Sequence, residues 1–327
     1  MNALKNILYC LLMLCYCGCS QNSKMNNLTS KNYIETMLNN TKRYTYEPMY
    51  YLTFVQNSCF SEILVNDIPV NKNFKKESQG LTIDINNYIF KSGVQKVTFR
   101  LYPAGKIGIL DLSTLVYDTE MKIDIIEADN NKRDSDGKEI TTYTTPLTTF
   151  KDADGYERTK FEGSGKTYYE ASFTFNATVP YEFNSLDKAR DLSIWEKEIL
   201  EKKVVDFYKK QWNIINEKRE DDYFSYLELR EKQTCQSLFY NKSELQEILE
   251  SYQEAFTIPD YKLQPLENYT IKLYGNGRIV CLELTSLEPK MRGKSALWAK
   301  FDKNRTADFL KYYLYIPEKE SELKILR

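Results

Sequence analysis

The chain has 327 residues, 42% of them hydrophobic and 28% charged, enough for one large domain or two ordinary ones with a packed core. Its formal net charge of −1 excludes a protein that tracks nucleic-acid phosphates with a basic stripe. It contains no histidine, which removes the usual general base near pH 7, Ser-His-Asp and Cys-His arrangements, and zinc sites with imidazole ligands.

The N-terminus reads MNALKNILYCLLMLCYCGCSQ. Lys5 precedes a short apolar run from Ile7 to Leu14, and no acidic residue occurs before Glu35. The run falls short of the roughly 20 apolar residues that span a bilayer, but it suits the apolar core of an export signal. In Tyr16-Cys17-Gly18-Cys19 a small residue then precedes a cysteine. Here the chain resembles the bacterial lipoprotein signal class, with Tyr16 standing where that class prefers Leu. The resemblance is confined to this stretch and carries no information about the fold. It implies cleavage before Cys19, loss of residues 1–18, and acylation of the Cys19 thiol and amine by palmitate-like chains, which makes membrane residence durable. Ser20 replaces the Asp that retains such proteins at the inner membrane, so the class points to the outer membrane. An ordinary secretory peptide with incidental cysteines is the alternative. Processing deletes one base, Lys5, and no acid, which moves the formal charge from −1 to −2.

Ser20 to Asn32 is polar, rich in Asn and Ser, and without hydrophobic period. It reads as part of a flexible tether over residues 19–45. Beyond Cys19 three cysteines remain, Cys59, Cys235 and Cys281. One disulfide with a leftover thiol and three buried free thiols both fit. With no CxxC they make a poor metal or redox site.

Residues 46–184 read as an antiparallel β-sandwich. Tyr50 to Gln56, Phe60 to Asn66, Leu81 to Phe90, Lys96 to Pro103, Met121 to Ala128 and Tyr168 to Val179 are rich in β-branched and aromatic residues. In KVTFRLYP, Val97, Phe99 and Leu101 share one face, the period of a half-buried strand. Turn signals separate the runs, and no long helix supplies parallel crossovers. Two acidic clusters, Glu127 to Glu139 and Lys151 to Glu157, fail the calcium-loop pattern, because Lys132 and Phe150 would occupy the first ligand position. Both read as solvated turns; an irregular site from Asp134, Asp136, Asp152 and Asp154 needs the two loops to meet. The string Gly163-Ser164-Gly165-Lys166-Thr167 lacks the first glycine of a phosphate loop and precedes a strand, so it reads as a turn.

Residues 185–327 read as an α+β domain with long helices and an antiparallel meander. Leu200, Val204, Phe207, Tyr208, Trp212 and Ile215 form a helical stripe within residues 187–218. A second helix covers Asp222 to Phe239, and a third starts at Ser243, where Ser243 and Gln246 suit a capping box. Tyr269 to Thr285 is a hairpin around Gly275-Asn276-Gly277, and Ser295 to Pro317 is a second one turning at Asp302 to Arg305. The whole is a mostly β protein of two domains, with the boundary near residue 184.

Neither a catalytic group, a metal site, a cofactor nor a nucleotide is predicted, and the only candidate site residue is the lipidated Cys19. Forty-six acidic residues make carboxylate pairs too common for any one to stand out, and Ser321-Glu322-Leu323-Lys324 is a chance SxxK string. The expected function is a lipid-anchored binding module of the cell envelope that takes a protein partner. An immunity lipoprotein sequestering a secreted toxin is one form of it. The 26 tyrosines suit such a surface as well as a sheet core. The alternative is a glycan-binding or carboxylate-based glycan-processing lipoprotein, with Trp195, Trp212 and Trp298 as the side chains to watch.

Overall fold

The computed structural model describes residues 27–74, 79–107, 110–132 and 137–327. Cys19 and the export signal lie outside them. Among the described residues the fold is mostly β, with several antiparallel sheets and four α-helices.

The strands of the first half are β1 (Pro48–Asn57), β2 (Cys59–Val65), β3 (Ile68–Asn73), β4 (Gln79–Asp84), β5 (Gly93–Pro103), β6 (Gly105–Ile107), β7 (Leu110–Leu112), β8 (Glu120–Asp129), β9 (Lys138–Thr144), β10 (Leu147–Lys151), β11 (Glu157–Phe161) and β12 (Tyr169–Ala177). They build two four-stranded sheets, in the orders β4-β1-β8-β9 and β12-β5-β2-β3. Alternation decides which faces meet. Leu52 and Phe54 of β1 and Ile123 and Ile125 of β8 point inward from the first sheet, against Ile63 of β2 and Val97, Phe99 and Leu101 of β5 from the second. The expected strand at Leu81 to Phe90 stops at Asp84, and a 3-10 turn at Asn86–Tyr88 follows.

The helices are α1 (Tyr33–Asn40), α2 (Lys197–Asn216), α3 (Glu220–Leu238) and α4 (Lys242–Thr257). The stripe read from Leu200 to Ile215 is the buried face of α2, with Trp212 half-buried at its margin. The cap of α4 sits two residues earlier than expected: Asn241 accepts from the Ser243 and Glu244 amides while Glu244 reaches back to the Asn241 N–H. Both hairpins form as read, β14 (Tyr269–Tyr274) with β15 (Ile279–Leu284) and β16 (Trp298–Phe301) with β17 (Thr306–Phe309). The second is shorter than expected. Its chain continues into β18 (Leu314–Tyr315), which lies between β15 and β19 (Lys324–Ile325), while β13 (Lys262–Leu263) pairs with β16.

Strand β15 is buried along its whole length. Val280, Leu282 and Leu284 join the helix-side core with Val204, Leu227 and Leu245. Ile279 and Cys281 face the other way, with Tyr274, Tyr313 and Tyr315, onto Leu64 and Ile68 of the β12-β5-β2-β3 sheet. The layers therefore run from helices to the β14-β15-β18-β19 sheet, then to the two sheets of the first half. β3 is an edge strand and carries Pro69. The Pro69 carbonyl accepts from Lys311 Nζ at 3.3 Å and from the Tyr313 hydroxyl at 3.2 Å, so the second half covers this edge.

A buried polar group and a buried ring fasten α3 to the first half. Asn86 accepts the Tyr50 N–H at 2.6 Å and donates to the carbonyls of Pro48 at 2.7 Å and Ser237 at 3.0 Å, joining β1 to the end of α3. Phe239 then turns left-handed, with φ 50°, and places its ring in the sandwich-side core. That conformation costs about 1–2 kcal/mol for a residue with a Cβ, which the burial of the ring offsets.

The expected tether does not extend through residues 27–45. Leu28 is buried, and α1 follows it with Tyr33 and Met37 facing inward. Eight residues are too few for a helix to be stable alone, so docking holds it. Tyr33 packs edge-on to Phe224 and Tyr252 and donates to Glu231 Oε2 at 2.6 Å. Glu231 also receives Arg230 at 2.8 Å and the Tyr252 hydroxyl at 2.9 Å. The sequence hid this because one turn of apolar residues among Asn and Lys carries almost no periodic signal. Tyr33→Phe removes one hydrogen bond to a buried carboxylate and is expected to lower unfolding free energy by about 2 kcal/mol. Tyr33→Ala, which also empties the ring site, is expected to cost about 4 kcal/mol; urea denaturation of both variants checks the pair.

Candidate functional site

Two regions combine reactive or recognition-grade side chains: a cavity at the seam between the sheets, and an exposed hairpin.

The seam is organised by Glu283, which points from β15 toward the first half because it shares a face with Ile279 and Cys281. A carboxylate there needs a partner, and β3 supplies Lys72, whose Nζ lies 2.6 Å from both Glu283 oxygens. Their side chains are only 10% and 8% exposed. The Tyr274 hydroxyl accepts from Lys72 at 2.9 Å and donates to Glu283 at 3.0 Å. From Lys72 the network continues outward to Glu62 at 3.6 Å, Arg100 and Glu170. Tyr168 and Arg100 hold the Glu170 carboxyl below the usual carboxylate range. Gly293 passes close over Lys72: a Cβ there would stand 3.0 Å from Lys72 Cδ, and its φ of +67° already favours glycine. Beside it the Arg292 guanidinium lies over the Phe74 ring at 4.1 Å and near Tyr102 and Phe60, pinning this loop to the first half.

Beneath the loop lies a cavity of about 220 Å³ whose walls include Lys72, Glu283, Lys294, Lys311, Asn71 and Phe309. Lys311 also lines a second cavity of about 200 Å³ with Arg230, Glu231 and Arg327. Crowding by protein, then the nearby Lys72 and Lys294 charges, push the Lys311 ammonium down to about 8, against the opposing pull of Cys281 and Glu283. The Lys311 side chain as a whole is nevertheless exposed, so water reaches it at the cavity and moderates this shift. The Asn71 side-chain oxygen is buried and receives no donor from the described residues.

The hairpin β10–β11 is different in kind. All five residues of β10 are exposed, as are the first three of β11. Leu147 is 61% exposed, Tyr156 66%, and the neighbouring Tyr117, whose carbonyl receives the Phe161 N–H, 67%. Phe150 and Tyr156 carry Lys160 and Arg158 over their rings at 5.3 and 6.0 Å. Among the described residues neither outer edge pairs with another strand. Only Phe161, at the foot, is driven into the core.

The sequence candidates fall into place around these regions. Asp152 and Asp154 form the hairpin turn, where Asp152 accepts the amides of Asp154 and Tyr156 and binds Arg158 at 3.1 Å. Asp134 and Asp136 lie outside the described residues. Among the described residues no three Asp, Glu or Cys side chains converge in a metal-binding group. Gly163 to Thr167 is a turn before β12, and a Cβ on Gly163 would collide with the Phe161 ring at 2.5 Å. Lys324 pairs with Glu320 at 2.6 Å, while the Ser321 hydroxyl donates to Glu322. The three cysteines are free and buried. Burial raises each thiol, that of Cys59 to about 12, which leaves them protonated and poor nucleophiles. Trp195, Trp212 and Trp298 are half-buried against the helix-side core, and the Trp212 N–H donates to the Gln264 carbonyl. Nothing local separates Lys72, Lys294 and Lys311 from other lysines, and Lys72 lies more than 200 residues before the other two.

The Lys72–Glu283 bridge yields a stability test. Lys72→Met strands a buried carboxylate and is expected to cost about 3–5 kcal/mol. Adding Glu283→Gln removes that charge and is expected to recover most of the loss, so a denaturation double-mutant cycle should give strong coupling.

Comparison with family models, with curated proteins and with solved structures finds no match to this chain.

Proposed function

We propose that this chain is a lipid-anchored, non-catalytic binding module of the bacterial cell envelope, held through Cys19 at the outer membrane, that recognises a protein partner outside the cytoplasm. In this reading residues 46–184 and 185–327 act as two domains packed through the seam. The observation that carries the reading is the hairpin β10–β11. A two-stranded ribbon that contributes one residue to the core adds little to folding, yet it exposes Phe150 beside Arg158 and Lys160 on one face, Leu147 on the other, and Tyr156 at the turn. Exposed apolar residues normally stand singly; clustered aromatics with arginine are the composition of binding surfaces. Its unpaired edges offer main-chain hydrogen bonds to an incoming strand. The carboxylates with displaced pKa support the same side of the argument. Asp152, Glu170, Asp191 and Asp206 are all lowered by hydrogen-bond donors or cations, opposite to what a general acid requires. No helix among the described residues is long and apolar enough to cross a membrane.

Affinity capture with residues 20–327, purified without lipid, against envelope and secreted proteins of the source organism tests the reading. One stoichiometric protein partner is expected. Combining Leu147→Ser, Phe150→Ala and Tyr156→Ala should weaken its binding at least about 30-fold, or about 2 kcal/mol, with stability changed by about 0.5 kcal/mol or less per site. Undiminished binding by that variant would remove the hairpin from the interface.

A further inference from the structure

We infer that the seam cavity is a binding site for a small organic anion, a ligand whose phosphate or carboxylate group is gripped by the ammonium groups of Lys311 and Lys294. The charges on the wall do not balance. Lys72 and Glu283 satisfy one another at 2.6 Å. Lys311 is left with neutral partners, the Pro69 carbonyl at 3.3 Å and the Tyr313 ring, whose centre lies 4.4 Å from its Nζ. Lys294 has its Nζ over the Phe309 ring, 5.9 Å from the centre, and no charged partner among the described residues. Among the described residues neither has a carboxylate within ion-pair distance. A chain with net charge −1 thus leaves two ammonium groups without a carboxylate around one small space, because the charge of Lys72 is met by Glu283. Both side chains are exposed, so water screens their charges in the empty site, and an anion entering between them replaces that water with two ammonium partners.

The remaining walls narrow the ligand. The buried Asn71 oxygen lacks a donor, so the ligand supplies an O–H or N–H beside its anionic group. Phe309 gives its body an apolar surface. At about 220 Å³ the space is smaller than the roughly 300–1,000 Å³ that takes drug-sized molecules. A hydroxy acid or a compact phosphorylated metabolite meets all three conditions. This site is independent of the exposed hairpin and of what the hairpin binds.

Protonation adds a signature. Lys311 faces Lys72 from β3, Cys281 and Glu283 from β15, Tyr313 two residues along, Lys294 from the overlying loop and, across the second cavity, Tyr88, Arg230, Glu231, Tyr252 and Arg327. Cys281 is held protonated by burial, so Lys311 is the group that titrates near pH 8. An anion raises its pKa on binding. Affinity is therefore full below pH 8 and falls as pH rises past it.

The experiment follows the thermal unfolding midpoint of the full mature chain with sodium phosphate, with sodium glycolate (a carboxylate bearing one hydroxyl) and with sodium chloride at matched ionic strength. At pH 7 and millimolar concentrations at least one oxyanion probe should raise the midpoint by about 2 °C or more beyond chloride. Phosphate alone or glycolate alone supports the site and identifies its headgroup. The gain should vanish in Lys311→Met and shrink in Lys294→Gln, and the glycolate gain should fall between pH 7 and pH 9.5. Because Lys294 is exposed, its variant folds and carries the test even if Lys311→Met does not. No gain over chloride with either probe overturns the inference, as does a gain that survives both substitutions.

Discussion

Strand β15 is the constraint on which the rest of the molecule depends. A strand covered on both faces needs an apolar residue at every position or a built-in partner for each exception. Its sequence, IVCLEL, contains one exception, Glu283. A lone carboxylate at that depth would cost several kcal/mol, and it would make the second half a poor surface for the first. Lys72 answers it from β3, and Tyr274 completes the hydrogen bonding. Any other register of the first half on the second would separate these groups. The ion pair's role is thus placement more than net stability, since an apolar pair of equal volume could hold the layers as tightly.

From this seam the polar arrangement grows in both directions. Outward, Glu62, Arg100 and Glu170 extend the alternation of charge across the β12-β5-β2-β3 sheet, each group more exposed and less costly than the last. Inward, the pairing of Lys72 with Glu283 leaves Lys311 and Lys294 without counter-charges. The same contact that fixes the interface therefore sets the electrostatics of the cavity beneath it. The helices are attached by a separate device. Asn86 and Phe239 join α3 to the sandwich side, and Glu231 gathers Tyr33, Arg230 and Tyr252.

What could be read from sequence follows from where each segment sits. KVTFRLYP alternates because one face of β5 meets the core, and the alternation is visible without coordinates. The stripe of α2 and the Gly-Asn-Gly turn are equally local. The segments KEITTYT, LTTFK and ERTKF escaped notice because they are exposed on most positions, so no core imprints a period on them. Ile68–Asn73 was hidden by Pro69, which argues against a strand except at an edge. The short α1 is legible only through Tyr33 and Met37, whose partners lie some two hundred residues away. Nothing local marks the cavity lysines, because a cluster assembled by topology leaves no spacing in the chain.

Overall charge is a poor guide to such a molecule. Nearly equal numbers of acids and bases, 46 and 45, exclude long-range steering by a strong net field. They place no limit on local fields, which depend on a few groups within a Debye length of about 8 Å. At the turn of the hairpin, Asp152 neutralises Arg158, so the hairpin offers ring area and main-chain edges more than charge. In the cavity the acids and bases do not cancel. A nearly neutral chain can therefore carry one surface that works by apolar burial and one pocket that works by charge. The pocket keeps its charge because the carboxylate nearest to it is already bound to Lys72.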